Sequence, residues 1–181
     1  MKGLVWLRSD LRIEDNPALS MADTECNQIS CIYLLSKKEW ISHNNSNVKL
    51  DFIIRNLTHL SKDLIKLNIQ LIITTVESYK EIPLDIKNFC KSNNISKCYW
   101  NNEFGIDEQK RDKDVQLFLE SSGIEYQSFD DQIIFQPGTI LTGQGKPFSV
   151  FTPFKKKWIE NFSLDQLEFE SKITIKEPFN S

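Results

Sequence analysis

Four apolar residues, Leu4, Val5, Trp6 and Leu7, run straight into a loop with two arginines and three carboxylates: Arg8, Asp10, Arg12, Glu14 and Asp15. A short β-prone run without polar alternation is the pattern of a strand covered on both faces in a parallel sheet. Asn16 then reads as an N-cap and Pro17 as the first helical residue, where its missing N–H costs nothing. A buried strand, a polar loop and a capped helix predict an α/β domain whose functional edge lies at the carboxyl ends of its strands.

The rest of the chain repeats that grammar. An apolar run at 28–35 predicts a second strand, followed by a loop or short helical turn at 37–46 that holds Trp40, His43, Asn44 and Asn45. From 47 to 67 the residues Ile53, Leu57, Leu60, Leu64 and Leu67 recur at helical spacing, with Phe52 widening the stripe. Ser46 or Asn47 caps this helix and Asn68 closes it. Strands follow at 69–75, 97–101 and 124–129, separated by a helix at 83–93 and another that ends near Ser122 with Gly123 at C′ and Val115, Phe118 and Leu119 facing inward. Five β-α units with right-handed crossovers give a Rossmann-like three-layer α/β/α fold with a five-stranded parallel sheet, order 3-2-1-4-5.

Beyond Asp130 the pattern becomes turn-rich, so the α/β domain is expected to span 1–130 and a connecting segment 131–181. Within that segment Thr152 and Pro153 predict an N-capped helix carrying Lys155, Lys156, Lys157 and Trp158, whereas 163–181 has no strong period. The chain is expected to continue in a parent protein.

At 181 residues there is material for one domain, and a formal charge of −3 supplies no global basic field for nucleic acid. The three lysines read as a solvated helix face. Cys26, Cys31, Cys90 and Cys98 lack close-paired metal spacing and read as reduced thiols in or near the core. The first apolar run breaks at Arg8, far short of the roughly 20 residues that cross a bilayer, so the chain is expected to be soluble, cytoplasmic and free of membrane. The loop after the first strand has no glycine, and Gly143 and Gly145 lie in the wrong context, which argues against a dinucleotide fingerprint or a P-loop.

Two groups of residues carry chemistry. Arg8, Asp10, Arg12 and Asp15 are read as ion pairs that tie neighbouring segments together. His43, in the loop after strand two, and Asp107 and Glu108, at a helix start after strand four, form the second group. On spacing alone the carboxylates are helix caps. The functional alternative has a carboxylate accept hydrogen bonds from the N–H groups of a heterocycle bound in the crevice.

The wording of the first loop (Trp6, Arg8, Asp10, Leu11, Arg12, Asp15, Asn16, Ala18, Leu19) resembles that of DNA photolyases and cryptochromes. So does the run from Gly145 through Lys146, Pro147, Phe148, Ser149, Val150, Phe151, Thr152 and Pro153 to Phe154, with Trp158 beyond it. Asp130, Asp131, Pro137, Gly138 and Gly143 are similar to the stretch that joins the two domains of those proteins. The resemblance implies an amino-terminal antenna domain, partnered in a parent protein by a carboxy-terminal helical domain that holds FAD and engages UV-damaged DNA. Around Trp40, His43, Asn44 and Ser46 it is most similar to folate-type bacterial cyclobutane-dimer photolyases. That implies methenyltetrahydrofolate as antenna cofactor, with His43, Asp107 and Glu108 as its binding residues. Asp107 stands where an asparagine is usual. No catalytic or metal-binding residue is expected in this segment, and a monomer is expected. The alternatives are a cryptochrome-type photoreceptor domain and a stand-alone cofactor-binding α/β protein.

Overall fold

The computed structural model describes residues 1–164 and 172–179. Its elements in chain order are β1 (Lys2–Leu7), α1 (Pro17–Glu25), β2 (Gln28–Ser36), α2 (Lys37–Ser42), α3 (Asn47–Lys66), β3 (Gln70–Val76), α4 (Ile82–Ser92), β4 (Lys97–Asn101), α5 (Ile106–Glu120), β5 (Glu125–Phe129) and α6 (Phe151–Asn161). All strand pairs are parallel, in the expected order β3-β2-β1-β4-β5.

Alternation along β1 builds the two cores. Leu4 and Trp6 face a layer formed by α4 and α5, through Ile82, Ile86, Cys90, Val115 and Leu119. Val5 and Leu7 face the opposite layer, where α1 supplies Ala18, Leu19 and Ala22 and α3 supplies Leu60 and Leu64. A central strand buried on both faces explains the unbroken apolar run in the sequence. Gly3 is required by this packing, since a Cβ there would stand 2.6 Å from Cys26 Sγ.

Local signals act as read. The Asn16 side chain accepts from Leu19 N at 3.1 Å with Pro17 opening α1. Ser46, not Asn47, caps α3 by accepting from Lys49 N. Asn68 and Gly123 take positive φ after α3 and α5, as chain reversals at helix ends require. All four cysteines are buried free thiols. No described helix is long and apolar enough to cross a membrane.

Three expectations need correction. Phe52 is 60% exposed and Phe118 40% exposed, so both flank their helix stripes rather than filling the core. The last helix begins at Phe151 with Val150 as N-cap and no side-chain capping bond, so Thr152 lies inside it and caps nothing. Pro153 is tolerated in that first turn because the N–H it lacks has no intrahelical partner in any case.

The segment 172–179, which has no periodicity, is nonetheless held against the amino-terminal edge of the sheet. Lys176 N donates to Leu67 O, Glu177 N to Asn27 O, and Thr174 N and Oγ1 to Asp23. Ile173 enters the α1/α3 core and Phe179 packs against the α4/α5 core. Ile173→Ala is expected to cost about 2–5 kcal/mol, the range for a buried isoleucine cut to alanine. Urea denaturation of the variant measures it.

Candidate functional site

The strands deliver their loops to one edge of the sheet, and a cleft of about 210 Å³ opens there. Its lining comes from the ends of β1 (Trp6, Arg8, Ser9) and β2 (Leu35, Ser36), from α2 and its loop (Trp40, His43), and from Tyr79, Glu103, Glu108 and Arg111. The cleft lies over the carboxyl ends of β1 and β2, with Glu103 entering from the loop after β4, on the edge where α/β sheets place their ligands.

His43 ends α2 as its C-cap, and its Nε2 stands 3.7 Å from Asp107 Oδ2 across the rim. Both side chains are largely exposed. Asp107 and Glu108 occupy the first turn of α5, where negative charge complements the helix dipole. Their side chains diverge. Asp107 stays at the outer rim, whereas Glu108 lines the cleft and its Oε1 accepts from Tyr79 Oη at 3.1 Å. Gly105 makes room for this carboxylate, because a Cβ at 105 would lie 1.9 Å from Glu108 Oε2. His43 and Glu108 therefore reach one crevice, with Asp107 beside His43 at its mouth.

A buried arginine network beside Glu108, with Arg111 one turn further along α5, was not anticipated. Arg8 Nη1 donates to both oxygens of Asp112, at 2.9 and 2.8 Å. Arg111 donates to Asp112 Oδ1 from Nε and Nη2, at 2.9 and 2.7 Å, and to Glu103 Oε2 from Nη2 at 2.9 Å. Trp6 lies against both cations, 4.6 Å from Arg8 and 4.8 Å from Arg111, and Tyr79 is 4.7 Å from Arg111. The signal for this network was present in the sequence. The buried stripe through Leu119 and Val115 continues backward to Arg111 and Asp112, and charges on a buried face must be paired.

The two arginines fare differently. Burial lowers Arg8 below its ordinary value more than Asp112 offsets, and the like charge of Arg111 adds to the effect. Burial also acts to lower Arg111, but Asp112 and Glu103 outweigh it and raise the group. For Glu103, burial acts to raise the carboxyl, yet Arg111 and Arg8 together hold it below its ordinary value of 4.5. A depressed folded value means that this contribution to stability is complete above pH 4.5 and is lost as the pH falls through the folded value. Acid titration of stability is expected to show this loss in the native chain and not in Glu103→Gln.

The first loop pairs as the sequence suggested. Arg12 Nη2 meets Asp131 Oδ1 at 2.6 Å, and Asp10 accepts from Arg8 N at 2.7 Å and Asn101 Nδ2 at 2.6 Å. Lys155, Lys156 and Lys157 lie on the exposed α6. Among the described residues no cluster of three or more histidine, cysteine or acidic side chains is placed to hold a metal ion.

Comparison with known proteins places these features in a family. The chain is 34% identical over 159 residues to the deoxyribodipyrimidine photo-lyase of Vibrio cholerae, covering 88% of this chain and 34% of that protein. It thus spans about a third of the length of the curated relatives it matches. The crystal structure of a bacterial class III photolyase from Agrobacterium tumefaciens superimposes with a TM-score of 0.76 at 22% identity, over 98% of this chain and 35% of that one. The archaeal photolyase from Sulfolobus tokodaii, solved with two FAD molecules and described as implying a novel light-harvesting cofactor, gives 0.74 at 22% identity, over 99% and 38%. The DNA photolyase family matches residues 3–173, and the chain belongs to that family as its amino-terminal α/β domain.

Proposed function

We propose that the cleft is a chromophore site and that the chain is the light-harvesting domain of a deoxyribodipyrimidine photolyase. The parent protein, in this reading, repairs pyrimidine dimers in UV-damaged DNA with FAD held in a carboxy-terminal helical partner domain. The supporting observation is the convergence of Trp6, Trp40, Tyr79, His43 and Glu108 on one cleft at the carboxyl edge of the sheet.

The residues fit a planar heterocycle. Aromatic rings offer apolar faces, and Glu108 Oε1 holds Tyr79 while its Oε2 accepts from no donor among the described residues. A volume of about 210 Å³ falls below the roughly 300–1,000 Å³ of ordinary small-molecule pockets, which suits a ring system rather than a whole dinucleotide. Methenyltetrahydrofolate and a flavin are the two cofactor classes in view, the first from the sequence resemblance and the second from the two FAD molecules of the Sulfolobus tokodaii relative. Either would supply near-ultraviolet or blue absorption and pass excitation onward. The residues' part is to hold and orient the ring. Glu108 would accept from ring N–H groups, Trp40 and Tyr79 would wall it, and His43 and Asp107 would close the mouth.

The test is an absorption spectrum of the chain after incubation with each cofactor and gel filtration, followed by a binding titration. One equivalent of retained chromophore supports the reading, and retention of none by the folded chain contradicts it. Glu108→Gln is expected to weaken binding by about ten- to a hundred-fold, as loss of a charged hydrogen-bond acceptor implies. An unchanged affinity would return Glu108 to a plain helix-start carboxylate.

A further inference from the structure

Three aromatic rings run in a row across the sheet, from beneath the cleft to the protein surface. Trp6 on β1 and Trp100 on β4 share the α4/α5 face with ring centroids 5.9 Å apart, and Trp100 stacks on Tyr126 of β5 at 5.4 Å and 20°. The order β1-β4-β5 makes the row continuous, because same-face residues of neighbouring parallel strands lie side by side. Both spacings are those of rings in contact. Trp6 and Trp100 are buried, whereas Tyr126 is partly exposed and its hydroxyl donates to the exposed Glu120 at 2.7 Å. Charge is graded along the row. Arg8 and Arg111 lie over the Trp6 ring, which disfavours a further positive charge there, and the carboxylate at Tyr126 favours one. Between them the Trp100 indole N–H is buried and has no hydrogen-bond partner among the described residues, so no base takes its proton and traps a radical on it.

We propose that Trp6, Trp100 and Tyr126 form a hole-transfer chain that drains one-electron oxidation from beneath the cleft to the surface. An oxidant formed in the cleft, of the class of a photoexcited aromatic ring or an oxygen-centred radical, takes one electron from Trp6 and is itself reduced. Trp6 is restored by an electron from Trp100, and Trp100 by an electron from Tyr126. The Tyr126 phenol passes its proton to Glu120 as it loses the electron, which leaves a neutral tyrosyl radical and a protonated carboxyl. A hydrogen atom from a dissolved thiol restores the phenol, and Glu120 returns its proton to water. Burial of the two indoles is no obstacle, since an electron tunnels between rings in contact and needs no opening. The chain serves any such oxidant, whether or not a chromophore occupies the cleft.

The experiment starts the hole at the cleft and finds where it stops, with no chromophore added, so its outcome is separate from that of the chromophore reading. The 181-residue chain has two histidines, and a ruthenium polypyridine photooxidant is coordinated to His43 at the rim. His59→Gln removes the second attachment point, and Trp40→Phe removes the other indole that lines the cleft. Laser excitation with a dissolved electron acceptor makes ruthenium(III) in place, and transient absorption and electron paramagnetic resonance follow the radicals. The expected result is a tyrosyl radical that grows in as ruthenium(III) decays. Tyr126→Phe abolishes it and leaves a tryptophan radical cation, whereas Tyr79→Phe, at a tyrosine in the cleft itself, leaves it in place. A tyrosyl signal that survives Tyr126→Phe or is removed by Tyr79→Phe puts the hole on another phenol and overturns the chain. Ruthenium(III) that decays with no protein radical overturns it too. Trp100→Phe is expected to strand the hole on Trp6, and a folded Trp100→Phe that still forms the tyrosyl radical overturns the route. Should that variant fail to fold, Tyr126→Phe, which keeps a ring against Trp100, decides the question by itself. Glu120→Gln is expected to slow tyrosyl formation without slowing tryptophan oxidation, and an unchanged rate overturns the proton step.

Discussion

Asp112→Ala is expected to destabilise the protein by about 3–5 kcal/mol, the cost of removing one partner from a buried ion pair. Asp112 is the common acceptor of Arg8 and Arg111, and the three side chains are each 8% exposed or less. Without it two guanidinium groups lie together in the wall of the cleft, with Glu103 and Asp10 left to balance them. For a domain of this size the change corresponds to a fall of roughly 6–20 °C in thermal midpoint. Calorimetry checks it, and a fall under about 2 °C would mean that water reaches the arginines easily. Asp112→Asn retains shape and one acceptor oxygen, and should fall between the native chain and the alanine variant.

Asn101→Asp is expected to be nearly as severe although it changes one atom. The Asn101 amide donates to Asp10 Oδ2 at 2.6 Å and to Asn16 Oδ1 at 2.9 Å, while its oxygen accepts from Ala18 N at 3.1 Å. Asn16 in turn caps α1. One buried amide therefore ties the ends of β1 and β4 to the start of α1. A carboxylate there replaces two donated bonds with contacts between acceptors, one of them against the charge of Asp10. The expected loss is about 3 kcal/mol at neutral pH, from two buried groups left without partners. Two adjacent carboxylates cannot both ionise cheaply, so one pKa rises and the deficit should shrink as the pH falls and a proton is shared. Denaturant midpoints at neutral and mildly acid pH measure both parts, and a deficit that grew on acidification would contradict the account.

These two networks mark where sequence reasoning succeeded and where it stopped. Strand and helix order followed from period alone, because a buried strand such as β1 and an amphipathic helix such as α3 write their environment into consecutive residues. The caps at Asn16 and Ser46 were legible for a similar reason, since each side chain acts on a backbone N–H three residues away. The pairing of Arg8 with Asp112 joins residues 104 apart, and no local rule names the partner of a buried cation. The packing of Ile173 was hidden in the same way, because 172–179 is held by contacts to Asp23, Asn27 and Leu67 rather than by its own pattern. His43 and Glu108 were named by family resemblance, and the topology alone required their loops to share an edge. The arginine network beside Glu108 could be suspected only from the charged residues on the buried stripe of α5. Phe52 and Phe118 misled because an aromatic beside an apolar stripe can as easily flank it as fill it.

A chromophore ring in the cleft over the ends of β1 and β2 is tested most directly through the tryptophans, of which the chain has four. Trp6 and Trp40 line the cleft. Trp158 stands on α6, stacked on Phe162 at 5.4 Å, and serves as an internal control. The decisive measurement follows the indole N–H resonances of the ¹⁵N-labelled chain during separate titrations with riboflavin and methenyltetrahydrofolate. The account predicts that the Trp6 and Trp40 signals move and saturate at one equivalent of at least one chromophore while Trp158 stays in place. Saturated binding that moved Trp158 and left Trp6 and Trp40 unchanged, or no movement of any signal at millimolar chromophore, would contradict it.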